Sequence, residues 1–147
     1  MTEHDVTGIG YEGLDVDGLI TRLRLRGVGH VVDVRLTPIS RKRGLSKTAL
    51  KARLAEVGIA YSHFRALGNP KSNRDGFAET TGAAAELSRE RFRGVLKSSE
   101  AEEALNAIRK IAETERVSLL CFEAEQGHCH RSLVLEALGA SVLISAA

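Results

Sequence analysis

Both cysteines of this 147-residue chain, two of its five histidines and an arginine fall within one stretch, residues 117–138, which reads VSLLCFEAEQGHCHRSLVLEAL. An apolar run ends at Cys121, a polar segment follows, and Cys129-His130-Arg131 opens a segment with helical apolar spacing, so the pattern predicts strand, loop and helix. Unpaired N–H groups at a helix start, together with Arg131 and the flanking histidines, favour a thiolate at Cys129, a candidate nucleophile or redox thiol. Cys121 is a second candidate, although a thiol closing an apolar strand is equally at home as a small core side chain. His130 suits general acid–base work, with capping or packing as the plainer use. The fork of Arg131 suits a phosphate or carboxylate, and an ion pair with Glu123 or Asp33 is its simpler alternative. The spacing lacks the paired clusters of structural zinc sites, and His128 and His130 should point apart in an extended loop. No metal and no cofactor are therefore expected.

Other groups reach the same place only if the strands run parallel. His30-Val31-Val32-Asp33-Val34-Arg35 is a continuous β-branched run of the kind found where both sheet faces are covered, and it ends in a carboxylate and a guanidinium. Asp33 could orient a histidine or act as a base, and pairing with Arg35 is at least as good a reading. Thr7–Gly10 is a short strand leading into Gly10-Tyr11-Glu12-Gly13, whose glycines permit a tight turn or a close approach, and which would bring Tyr11 to the same rim. After β-branched residues 30–35 come Pro38, Ser40 and Arg41-Lys42-Arg43, a loop in which Ser40 and Arg41 are candidate anion contacts.

The elements between are readable in outline. A helix begins near Asp15 with Leu19, Ile20 and Leu23 inward. A second, capped by Ser46, uses Ala49, Leu50, Leu54 and Val57, and a strand covers Ile59–Phe64. Residues 66–76 form an irregular loop of functional length. Phe77–Leu96 is a weak helix interrupted by Gly82, and Ser99 with Glu102 has the form of a capping box for a helix burying Ala104, Leu105, Ile108 and Ile111. Ala140–Ile144 offers a last strand. Alternating strands and helices predict one α/β domain over 1–147, a three-layer sandwich about a mainly parallel sheet of roughly four to five strands. In such folds ligands gather at the carboxyl ends of the strands.

Composition narrows the function class. The chain is 43% hydrophobic and 27% charged with a net charge of +2, an ordinary globule whose overall charge does not by itself imply nucleic-acid binding. Aromatics at 4% argue against a base-stacking platform. No segment is apolar enough to span a bilayer and the start of the chain does not read as a secretion signal, so a cytoplasmic protein without a membrane partner is expected.

Gly10-Tyr11-Glu12-Gly13, Asp33-Val34-Arg35 with Pro38, Ser40 and Arg41, the step Gly44-Leu45-Ser46-Lys47, Leu67-Gly68, and Leu120-Cys121 through Cys129-His130-Arg131 together resemble the DUF488 family, in the family's order and over nearly the whole chain. The resemblance implies a compact α/β domain and a pocket made of these rim residues. It implies no particular reaction. By architecture, a cysteine after a strand also resembles rhodaneses and cysteine phosphatases, but neither cysteine stands at the phosphatase spacing from Arg131. The leading expectation is a small cysteine-dependent hydrolase or transferase. Its catalytic residues would be Cys129, Cys121, His130 and Asp33, and its anion-binding residues Arg131, Arg35, Tyr11, Arg41 and Ser40. The ligand would be an anionic small molecule or nucleotide. The rival is a nucleic-acid- or nucleotide-binding module without catalysis.

Overall fold

The computed structural model describes residues 6–139. Four strands, β1 (Val6–Gly10), β2 (His30–Asp33), β3 (Ala60–His63) and β4 (Val117–Cys121), form a sheet in the order β1-β4-β2-β3. All three pairings are parallel, and the register sets Gly10 beside Cys121 and Asp33 beside Leu120. The five α-helices are α1 (Val16–Leu25), α2 (Lys47–Ala55), α3 (Ala83–Val95), α4 (Ser99–Ala112) and α5 (Arg131–Leu138).

Alternation along the central strands divides the core in two. Leu119 joins Phe92, Ile108 and Val134, whereas its neighbour Leu120 joins Leu19, Leu23, Leu50 and Leu54. Helices α1 and α2 therefore cover one face and α3, α4 and α5 the other, which is the three-layer α/β arrangement. Every residue of β4 is buried, the structural counterpart of its unbroken apolar run. The chain leaves β1 for α1 on one face and leaves β4 for α5 on the other. Adjacent strands with oppositely directed exits open a crevice at their carboxyl ends.

Several boundaries differ from expectation, each for a local reason. Strand β2 stops at Asp33: the Val34 N–H still donates to the Leu120 carbonyl (3.1 Å), but the carbonyls of Val34 and Arg35 accept from the Nε2 groups of His130 (2.8 Å) and His63 (2.7 Å). The cap of α4 is Ser98 and not Ser99, because the Ser98 Oγ accepts from the Ala101 N–H at 3.1 Å. Ser46 precedes α2 without capping it, since its hydroxyl accepts from the backbone N–H of Ser40 instead. The weak helix expected over Phe77–Leu96 is a 3-10 turn, Asp75–Ala78, followed by α3 starting after Gly82. The expected strand at Ala140–Ile144 lies outside the described residues.

The irregular loop is ordered by short 3-10 turns and by close contact. A Cβ on Gly68 would lie 2.4 Å from the Leu36 Cα, so only glycine lets this loop cross the end of β2. Asn73 then fastens it, donating to the Asn69 Oδ1 (3.0 Å) and to the Ser88 carbonyl on α3 (2.8 Å). Among the described residues no helix is long and apolar enough to cross a membrane.

Leu119, fully buried between α3, α4 and α5, should be costly to truncate: Leu119→Ala is expected to lower unfolding stability by about 2–5 kcal/mol. On α1, by contrast, Leu25 is 83% exposed, and Leu25→Ala should stay within about 0.5 kcal/mol of the parent in chemical denaturation. Equal effects at the two positions would contradict the burial of Leu119 and the exposure of Leu25.

Candidate functional site

Strand β4 ends at Cys121, the loop 122–130 folds back, and α5 begins at Arg131, so Cys129 and His130 stand over the point where β4 stops. The imidazole of His130 faces both sulfurs, with Nδ1 at 3.8 Å from the Cys121 Sγ and 3.7 Å from the Cys129 Sγ. Its Nε2–H donates to the Val34 carbonyl at 2.8 Å, and its ring meets Phe92 edge-on at 5.1 Å. A carbonyl only accepts, so Nε2 carries a proton and Nδ1 is the atom offered to the sulfurs. All three side chains are buried from bulk water, yet all three line one cavity of about 160 Å3.

The two thiols are electrostatically unequal. Burial alone would keep Cys129 protonated, but hydrogen bonds from Cys121 and His130, together with the charges of His130 and Arg131, outweigh it and bring Cys129 well below the ordinary thiol range. The Arg131 N–H, 3.5 Å from the Cys129 Sγ, points the same way. Cys121 is pushed up, first by its hydrogen bond to Cys129 and then by burial. His130 is raised: burial opposes its charge, and the hydrogen bond and negative charge of Cys129 exceed that penalty. Without other ligands, then, the surroundings favour ionisation at Cys129 over Cys121 and favour the charged form of His130 beside it. Glu123, raised by burial and next by the charge of Cys129, has its Oε2 at 3.5 Å from the Cys121 Sγ.

Beside this cluster lies a buried ion pair. Arg35 donates from Nε to the Asp33 Oδ1 (2.9 Å) and from Nη2 to Oδ2 (2.7 Å), and from Nη1 to the Leu45 carbonyl (2.7 Å) and the Tyr11 hydroxyl (3.3 Å). The Tyr61 hydroxyl also donates to the Asp33 Oδ2. Burial first and the Asp33 hydrogen bond second raise the Tyr61 phenol above its ordinary range. Burial opposes the Arg35 charge as well, but its bonds to Asp33 and then to Tyr11 hold the guanidinium above its usual range. Asp33 is wholly enclosed and its carboxylate is saturated, which leaves it no part as a base; it fixes Arg35. Arg35 and Tyr11 do line the cavity, Arg35 with most of its donors already taken.

The expectations for Arg131, Arg41 and Ser40 are corrected as well. Arg131 is buried behind the loop and does not line the cavity. It donates to the carbonyls of Glu123 (2.6 Å) and Ala124 (3.2 Å), so it shapes the loop instead of holding a ligand. Arg41 is exposed and Ser40 uses its Oγ to accept from the Lys42 N–H, and neither lines the cavity. The expectation that no metal binds rested on unpaired spacing, yet the fold brings the donor atoms of Cys121, Cys129 and His130 within 4.8 Å of one another.

The sequence reading missed Asn69, Arg74, Phe77 and Glu123 as cavity residues. For Asn69 and Arg74 the signal was present, since they follow Leu67-Gly68 in the long irregular loop, and Phe77 stands just past its end. Glu123 had entered only as a partner for Arg131. What Gly10 does is now visible: a Cβ there would lie 1.7 Å from the Glu123 carbonyl oxygen, so the 122–130 loop can press on β1 only over a glycine. Tyr11 and Glu12 continue the pairing beyond the strands by donating N–H groups to the carbonyls of Cys121 (3.2 Å) and Phe122 (2.8 Å).

Gly10→Ala is expected to displace the 122–130 loop and to cost about 1–3 kcal/mol by overpacking, with altered chemical shifts for Cys129 and His130; native shifts and stability would refute the close approach. Arg35→Met, which strands the Asp33 carboxylate, should cost about 3–5 kcal/mol, and adding Asp33→Asn should recover much of it. A double variant as unstable as the sum of the single ones would deny the pairing its energetic role.

No curated protein and no solved structure matches the chain. The family model described as "Domain of unknown function DUF488" matches residues 15–138, which span Tyr61, the Asp33–Arg35 pair and the whole Cys121–Cys129–His130 cluster. The chain belongs to the DUF488 family.

Proposed function

We propose that the strand-end cavity is the active site of a small cysteine-dependent hydrolase or transferase acting on a small anionic molecule, or on the anionic end of a larger one. One observation carries the reading: the Cys121 Sγ, the Cys129 Sγ and the His130 Nδ1 converge on the wall of a cavity while the rest of the imidazole is locked in place. A cluster that served packing alone would favour neutral groups, whereas this one stabilises charge on Cys129 inside the core. The free N–H capacity of Arg35 and the guanidinium of Arg74 supply positive charge on the same wall. At about 160 Å3 the cavity is smaller than the roughly 300–1,000 Å3 of drug-sized pockets, so the group reaching the sulfurs is small.

A nucleic-acid-binding module draws less support. The wider hollow outside the cavity is lined by Glu12, Asp75, Glu123 and Glu125 against Arg74 and His128, a setting that repels a phosphate backbone. In the basic loop, the Lys42 Nζ is committed to the carbonyls of Tyr11 (3.2 Å) and Leu14 (2.9 Å). Two free cysteines in a working site suit a reducing compartment, and on that ground we place the protein in the cytoplasm.

The test is a panel of small phosphorylated and carboxylated electrophiles assayed with the reduced protein and its Cys129→Ser variant. Turnover found with the parent should fall to background in the variant. In metal-free protein the sulfur alkylated faster should be the one the variant lacks. Undiminished turnover in Cys129→Ser would remove the sulfur from the reaction and end the reading.

A further inference from the structure

We propose that Cys121, Cys129 and His130 bind one divalent cation of the zinc class through Sγ, Sγ and Nδ1, leaving a fourth coordination position open to the cavity. The inference rests on the reading of that cavity as the active site and specifies how its sulfurs serve it, as ligands. The nitrogen–sulfur separations are close to those such an ion demands. With metal–sulfur bonds of roughly 2.3 Å and metal–nitrogen bonds of roughly 2.0–2.1 Å, a tetrahedron puts a sulfur about 3.6 Å from the nitrogen and about 3.8 Å from the other sulfur. The structure places Nδ1 at 3.8 and 3.7 Å from the two sulfurs, and holds all three donor atoms within 4.8 Å. The ligands are thus almost in position before any ion arrives.

A second, independent feature is the orientation of the imidazole. Metal-binding histidines characteristically donate their other ring N–H to a carbonyl or carboxylate, which fixes both tautomer and ring plane. His130 does this through Nε2 to the Val34 carbonyl at 2.8 Å, just past the end of β2 and away from the β4–α5 segment that carries both cysteines. The edge-on contact with Phe92 removes the remaining freedom of the ring. Nδ1 therefore presents its lone pair toward the sulfurs whenever His130 is neutral.

Charge gives a third argument. Two thiolates this close and this deeply buried would repel each other. A divalent cation neutralises both. Two sulfurs and one imidazole make a three-ligand set, the pattern of zinc sites that keep a position for water or substrate. Because each of the three ligands lines the cavity, that position faces it, and an anionic substrate would meet the ion there together with Arg35 and Arg74. Glu123, with its Oε2 3.5 Å from the Cys121 Sγ, is the carboxylate beside the ion, placed to take a proton from a bound water.

The experiment titrates Co2+ into chelator-treated, reduced full-length protein. One ion per chain should bind, with thiolate-to-cobalt charge-transfer absorption and the intense visible bands of tetrahedral cobalt, and Zn2+ should displace it. In Cys121→Ser and Cys129→Ser the affinity should drop by more than the roughly 10–100-fold that loss of a second-shell partner costs. A wild-type measurement guards against variants that fold poorly: Zn2+ should protect both thiols from alkylation, and a chelator should restore their reactivity. Absence of the charge-transfer band, or alkylation unaffected by Zn2+, would overturn the proposal. If the ion fails to bind while Cys129→Ser still abolishes turnover, the metal is excluded and the thiol active site stands. Binding as expected with turnover indifferent to Cys129→Ser would leave a structural ion and exclude the active site.

Discussion

A single hydrogen bond, from the His130 Nε2–H to the Val34 carbonyl, joins the two halves of the site. Strand β2 supplies the acceptor and the loop between β4 and α5 supplies the ring. The bond exists because β2 ends at Asp33 and frees its next carbonyls from the sheet. A buried carbonyl must find a donor, and a buried imidazole must lose its rotational freedom to be of chemical use. One contact meets both needs. Without it the ring could turn, either nitrogen could face the sulfurs, and the cluster would have no defined tautomer.

The Asp33–Arg35 pair holds the strand end that offers this carbonyl. Its strength comes from saturation: the carboxylate receives the guanidinium fork, the Arg35 N–H and the Tyr61 hydroxyl, while the guanidinium also reaches Leu45 and Tyr11. A buried pair is a weak source of net stability but a strong selector of geometry when every lone pair has a partner. Here it ties β2, β3, the loop before α2 and the residue after β1 to one centre. Arg131 does the same for the opposite wall by gripping the carbonyls of Glu123 and Ala124. Two arginines that read as ligand clamps are thus largely scaffold, and the cavity wall between them is left to the sulfurs, His130, Arg74 and the remaining N–H of Arg35.

What the sequence disclosed, and what it withheld, follows from the range of each interaction. The three layers were readable because burial on both faces leaves an unbroken apolar run in β4 and a β-branched one in β2, and because Leu19, Ile20 and Leu23 repeat at helical spacing. Cys121, Cys129, His130, Arg35 and Tyr11 were legible as rim residues because a parallel sheet gathers strand ends on one side. Their roles were not. Whether Arg131 faces a cavity or a carbonyl depends on the fold of the 122–130 loop, which is set by Gly10 more than a hundred residues away, and no local pattern encodes that contact. The convergence of the two cysteines with His130 was hidden for a similar reason. Spacing rules for metal sites describe ligands on one turn, whereas here the strand register brings Cys121 under a loop that returns over it.

The charge distribution shows how far local sequence can mislead about a ligand. Arg41-Lys42-Arg43 is the densest positive run in the loop after β2 and invites a phosphate, yet Lys42 is spent on carbonyls and Arg41 and Arg43 point to solvent. The hollow beside the cavity, which shares Arg74, Phe77, Glu123 and His128 with it, carries carboxylates instead. A polyanion lying along it would be repelled, whereas in the cavity the charge of Glu123 is opposed by Arg74 and Arg35. On the proposed reading of the cavity, the acidic hollow and the small cavity act together, one by charge and one by size, in favour of a ligand whose negative group is small and near its end.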